Sequence, residues 1–350
     1  MSARTRRATA AIALTTLLTA GAAALLTGCG PDTAAAPGDR SAAPAGGPTG
    51  GPASSGSGGT APTPGGTGAP TTAAPAATPV NGTAKNGLTI SNGTDHVLMN
   101  GTSVDFGTVV RDLAWSPDGS RAAFVTGGGD LVTANPDGSG RLVVARNPGG
   151  ETWSHPTWQV APAHADYGLP AKANLVFTAA RGGVSRLEGV TATIAGGTPQ
   201  VLSLDNAADG ESAAPLPQTG NSWPSGGGDF ATIAYANGDT GEVYIRDEYL
   251  RQGGSALTRG SQPALSPAGD DLVFVRSVDG HDHLFEGGVE RRPVRDLTPG
   301  ATTDFTEPAW SPDGHTIAAR SPEGIVTLPA DGSAAPVLVS TYPGLPAYRR

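Results

Sequence analysis

The sequence predicts an all-β chain: a β-propeller of five to six four-stranded blades, following a signal peptide and a disordered tether. Three observations predict it. Residues 114–119 read AWSPDG, residues 309–314 repeat AWSPDG, and residues 264–269 read ALSPAG. Each copy precedes a short apolar run, RAAFV at 121–125, TIAAR at 316–320 and DLVFV at 271–275, so each copy reads as strand, tight turn, strand. The unit recurs every 40-odd residues with no helical period between copies, as repeated β-sheet units do.

The first segment, residues 1–28, reads as an export signal. Arg4, Arg6 and Arg7 form a positive start, and residues 8–27 are apolar or small. The segment ends in Leu26, Thr27, Gly28 and Cys29, which resembles the bacterial lipobox. That resemblance implies a diacylglyceryl group on Cys29, cleavage before it, and a membrane anchor on the outer face of the cytoplasmic membrane. Cys29 is the single cysteine among 350 residues, so no intramolecular disulfide can brace the fold, and stability must come from a hydrophobic core.

Residues 29–85 follow as the lipidated cysteine and its tether. From residue 30 this stretch is almost wholly Pro, Ala, Gly, Ser and Thr. Such a composition cannot bury enough apolar surface to offset the entropy of ordering, so disorder is expected. Its reach would be roughly 40 Å as a flexible coil and about 170 Å in fully drawn polyproline II. Asn81, Asn92 and Asn100 each open an Asn-Gly-Thr triplet. This matches the glycosylation sequon, although the turn chemistry of Asn-Gly is reason enough for it. The formal net charge is −9, and loss of residues 1–28 makes it three charges more negative. A domain that acidic is a poor fit to nucleic acid or to an anionic lipid surface.

Residues 86–350 are the propeller. Aligned on Trp115, Trp158, Trp223, Leu265 and Trp310, the units are spaced by 43, 65, 42 and 45 residues. The long interval predicts an insertion of about 20 residues in the second or third unit, with 163–172 and 206–220 as its places. After each motif come further short β-branched or aromatic runs, separated by Gly, Asp and Pro. Residues 88–105 supply what read as the last two strands of a sixth unit. Pro346, Ala347 and Tyr348 echo the opening of a unit, so one blade can combine both ends of the chain and remove two open sheet edges.

The string P-x-W-S-P-D-G followed by an apolar strand resembles the WD40-like (PD40) repeat of TolB-type propellers, over most of residues 88–341. The Ala-, Gly- and Thr-rich tether is similar to those of actinobacterial exported lipoproteins. The family spans translocation scaffolds, propellers attached to prolyl-oligopeptidase-type hydrolases and actinobacterial lipoproteins, so the resemblance implies a binding module with a protein partner only by association of fold. It stops at the propeller, because TolB carries a folded α/β domain where this chain has a low-complexity tether.

The residues themselves offer little catalysis. No Gly-x-Ser-x-Gly elbow occurs, and the Asp-x-Asp spacing of a calcium loop is absent. His281 and His283 could share a metal if they faced one way on a strand, but they align with a solvated turn, so no metal and no cofactor are expected. Asp118, Gly119, Asp313 and Gly314 are expected to shape their own turns, and Trp115, Trp158, Trp223 and Trp310 to pack between blades. Three residues before each Trp position lie Asp112, His155, Gly220, Gln262 and Glu307. These would ring one mouth of the central channel, with Trp153 and Phe305 as apolar contacts two residues upstream. Asp112 and Glu307 would lie near one another if their blades adjoin through the closure, which is the arrangement a propeller glycosidase would need. The function expected is a lipid-anchored, non-catalytic protein-interaction scaffold or sensor, with a receptor for a small molecule or wall glycan as the alternative.

Overall fold

The computed structural model describes residues 79–205, 215–247, 253–289 and 293–350. Leu26, Thr27, Gly28, Cys29 and nearly all of the tether lie outside the described residues. What is described is six antiparallel four-stranded sheets, with a single 3-10 turn at Ala165–Tyr167 and no other helix.

The chain enters with β1 (Leu88–Ser91), β2 (His96–Met99) and β3 (Thr102–Asp105). Blade 1 is β4 (Arg111–Trp115), β5 (Ala122–Val125), β6 (Leu131–Ala134) and β7 (Leu142–Ala145). Blade 2 is β8 (Thr152–Ala161), β9 (Lys172–Arg181), β10 (Val184–Thr191) and β11 (Gln200–Val201). Blade 3 is β12 (Asn221–Gly227), β13 (Thr232–Asn237), β14 (Glu242–Asp247) and β15 (Gly253–Arg259). Blade 4 is β16 (Ser261–Leu265), β17 (Asp271–Val278), β18 (His281–Gly288) and β19 (Arg295–Asp296). Blade 5 is β20 (Thr306–Trp310), β21 (Thr316–Ser321), β22 (Gly324–Pro329) and β23 (Val337–Ser340). The last strand, β24 (Leu345–Tyr348), returns to pair with β1, giving the order β24-β1-β2-β3. Of the two blade counts the sequence allowed, six is the one formed. Residues 88–105 contribute three strands to the closing blade rather than two, and the C-terminal strand supplies the innermost one.

Each blade is held to its neighbours by apolar side chains between the sheets. Phe124, Phe177 and Phe274 are fully buried, and Val125, Leu131 and Val144 of blade 1 cluster with Trp153, Leu175 and Phe177 of blade 2. Closing the circle leaves no innermost strand unpaired.

The Ser-Pro-Asp-Gly turns are built alike in blades 1 and 5. The Ser116 hydroxyl donates to Asp118, the Arg121 amide donates to the Ser116 hydroxyl at 3.0 Å, and Gly119 turns with φ +68°. Ser311, Asp313, Thr316 and Gly314 repeat the pattern. Donation from Ser116 and Ser311, then from the amides of Ser120 and His315, holds both aspartates below the ordinary carboxylate range. A carboxyl with a depressed folded pKa stabilises the fold above its unfolded value and loses that contribution as pH falls through the folded one. A double variant Asp118→Asn, Asp313→Asn should therefore lose less stability than the parent between about pH 4 and pH 2. Urea midpoints measured across that range check this, and parallel losses would refute it.

Both extra segments of the long interval lie between the innermost strands of blades 2 and 3. One is the long β8–β9 hairpin around the turn at Ala165–Tyr167. The other joins β11 to β12, with residues 206–214 outside the described residues. Asn81 and Asn92 each accept the backbone N–H of the threonine two residues on, at 3.2 Å, so both triplets form local turns.

The solvated turn expected at His281 and His283 is corrected. The tight turn is Asp279–Gly280, and both histidines lie on β18. His283 is buried and bonds Asp296 at 2.9 Å, whereas His281 is half-buried and meets Asp304. Two residues apart on one strand, they have separate carboxylate partners.

Candidate functional site at the channel mouth

The innermost strands β4, β8, β12, β16 and β20 share one irregularity. In each the pairing register shifts by one residue, between Arg111 and Ala114, Ser154 and Thr157, Ser222 and Ser225, Ser261 and Ala264, and Thr306 and Ala309. Inside each bulge one non-glycine residue adopts positive φ: Asp112 (+54°), His155 (+49°), Trp223 (+53°), Gln262 (+48°) and Glu307 (+55°). Positive φ costs a side-chain-bearing residue of order 1 kcal/mol or more, and a bulge re-aims the side chain that carries it. The five side chains line the central cavity. In the closing blade β24 pairs without a shift, and Leu345 takes the sixth place.

The ring differs from the one expected in three ways. The third blade contributes Trp223, not Gly220, which sits in the turn before β12 with φ +78°. The place of the motif tryptophan in that blade is Gly226. Trp153 and Phe305 do not line the cavity: both are buried in the core between blades, at 2% and 8% exposure. Asp112 and Glu307 are not on adjoining blades, because the whole closing blade, with Leu345, stands between them.

The true motif tryptophans join blade to blade. The Trp158 indole donates to the carbonyl of Ala114 at 3.2 Å, Trp310 to that of Ala264 at 2.9 Å, and Trp115 to the Thr89 hydroxyl at 3.0 Å. In blade 3 the equivalent position has no room for a side chain, since a Cβ on Gly226 would stand 2.1 Å from the Trp158 carbonyl oxygen.

The cavity has a volume of about 420 Å³. At the ring, Asp112 accepts the backbone N–H of His155 at 3.1 Å, and the Gln262 side-chain oxygen accepts that of Glu307 at 2.7 Å. The His155 and Trp223 rings lie 3.6 Å apart between centroids, tilted by 38°. Burial pushes the pKa of His155 down against the pull of Asp112, so its imidazole is held toward the neutral form. Burial pushes that of Glu307 up; Arg320 opposes this and the Asp112 charge adds to it. Glu307 Oε2 is buried, and Arg320 Nη1 stands 3.5 Å away, an ion pair longer than a normal hydrogen bond. Behind the ring, Pro156, Pro224, Pro263, Pro308 and Pro346 form an apolar collar.

The ring residues Trp223 and Leu345 were missed in the sequence. The signal that marks them is the following proline: His155, Trp223, Gln262, Glu307 and Leu345 each precede one. Among the described residues one further cluster has metal-ligand character, Asp95, His96 and Asp105, all exposed on the closing blade.

No protein-family model matches the sequence, and no curated protein does. Solved structures do. TolB from Acinetobacter baumannii superposes with a TM-score of 0.53 at 16% identity, over 75% of this chain and 65% of that one. A putative TolB from Agrobacterium tumefaciens gives 0.49 at 18% identity, over 75% and 89%. An oligogalacturonate lyase in complex with manganese gives 0.42 at 15%, over 68% of each. This chain thus spans just under two thirds of the length of the Acinetobacter protein, and the likeness is one of fold. The described residues have the fold of a TolB-like, six-bladed β-propeller.

Proposed function

We propose that this protein is a non-catalytic interaction scaffold or sensor, tethered by lipid on Cys29 to the outer face of the cytoplasmic membrane, that grips a protein partner at the channel mouth. The observation that carries the reading is the ring of five non-glycine residues held at positive φ and aimed into one cavity. Strain repeated at five equivalent positions is retained where side-chain direction matters. The TolB-like fold supports a binding role by analogy of architecture, and the lipid anchor rests on the Leu26–Cys29 sequence.

Crosslinking on intact cells, with a tag after Arg350 and mass spectrometry of the captured material, tests the proposal. One dominant protein is expected, lost when Asp112, His155 and Glu307 are all replaced by alanine. A second reading, a receptor for a small molecule or wall glycan, draws on the cavity volume and the paired His155 and Trp223 rings. Wall material captured in place of any protein would favour it and sink the scaffold. A Cys29→Ala chain that still partitions with membranes would remove the anchor from the proposal.

A further inference from the structure

We infer that the channel mouth seats one cationic side chain, a lysine or arginine, projected into it by the protein partner. This rests on the reading of the mouth as the partner's seat and adds the chemistry of what enters.

The charge at this end of the cavity is one-sided. Two of the six ring residues, Asp112 and Glu307, are carboxylates, and neither a lysine nor an arginine lines the ring. The arginine that does line the cavity, Arg350, stands at the other end, against the Gly119 turn. Arg320 reaches Glu307 from β21, outside the cavity lining and half exposed. An anionic guest would meet two carboxylates. A neutral guest would strip water from both and return nothing, which is costly for buried charge. A cation satisfies both, and charge-assisted contacts are the stronger kind.

The shape of the wall selects the rest of the guest. Beside the carboxylates lie the Trp223 and His155 rings, Leu345 and the proline collar. Lysine and arginine alone among cationic side chains carry a long apolar stem behind the charge, so the stem can lie on this wall while the head meets the carboxylates. An aromatic face at the edge of the seat adds attraction for the cation.

Agmatine, a guanidinium on a four-carbon amine stem, is the probe, added to the full chain labelled with ¹⁵N in its indoles. Trp223→Phe assigns the Trp223 signal. Agmatine is expected to shift that signal saturably, while pentanamide, of similar size and neutral, leaves it in place. Asp112→Asn and Glu307→Gln, which keep size and an acceptor oxygen, should each weaken agmatine binding by about tenfold, with the other four indole signals unmoved as proof of an intact fold. Equal shifts from pentanamide, or unchanged agmatine affinity in both variants, would overturn the inference. The crosslinking experiment fails or succeeds separately. A protein captured through the mouth by a chain that ignores agmatine keeps the scaffold and removes the cation. Agmatine bound at Trp223 by a chain that captures no protein does the reverse.

Discussion

Removal of Leu345–Arg350 is expected to cost at least about 4 kcal/mol, from lost apolar burial and unpaired backbone groups. In a domain of this size that lowers the thermal midpoint by roughly 10 °C. The strand lost is β24, the innermost strand of the closing blade. It pairs residue by residue with β1, Leu88 with Tyr348, Ile90 with Pro346 and Ser91 with Leu345. Leu88 and Ile90 are fully buried, and burial pushes the Tyr348 hydroxyl up to about 12. The Thr89 hydroxyl donates to Ala347, the Arg349 amide to Gly87 at 2.8 Å, and the Arg349 side chain to Gly119. Its guanidinium also sits 5.3 Å over the Trp115 ring. Without β24 the ring opens at β1 and bares an edge that recruits other strands. Calorimetry and light scattering on the shortened chain check both effects. A monomer with an unchanged midpoint would show that the closure contributes nothing.

Gly226→Ala should destabilise by about 3 kcal/mol, the upper end for forcing atoms into a packed site. The added methyl would stand 2.1 Å from the Trp158 carbonyl oxygen and 3.1 Å from its carbon. These are backbone atoms of the neighbouring blade, and the Gly226 amide is itself tied to the Thr157 hydroxyl at 2.9 Å. Neither side can yield without moving a strand. Gly128→Ala is the control: its nearest neighbour would be Thr126 Oγ1 at 3.8 Å, and a change within about 0.5 kcal/mol is expected there. Matching urea midpoints for the two variants would refute the account. Restoring the repeat's tryptophan at Gly226 would be worse still, although a consensus argument would recommend it.

That contrast shows what was legible in the chain. The Ser-Pro-Asp-Gly turns were readable because their hydrogen bonds close within six residues, and so was the closure, because Pro346-Ala347-Tyr348 copies the start of a unit. The third blade was misread because an aromatic residue served as the marker. What the backbone needs at that point is a residue at positive φ inside a bulge, and Trp223 fills that place. The bulge also explains Trp153 and Phe305. Residues two apart share a face in a regular strand, but a bulge breaks that alternation, so His155 turns into the channel while Trp153 stays in the core. Blade count was open because the sixth unit is split between residues 88–105 and the C-terminal strand, and neither piece alone carries a whole repeat.

The mouth has another property. The bulged backbone recurs in five of the six blades, and the unbulged β24 fills the sixth place, yet Asp112, His155, Trp223, Gln262, Glu307 and Leu345 are six different residues. A guest approaching along the axis meets five bulges that the backbone scarcely distinguishes and six side chains that differ fully. The fold therefore supplies the rotational symmetry and the ring removes it, so a partner that reads all six side chains has one angular setting and is held against spinning as well as against leaving.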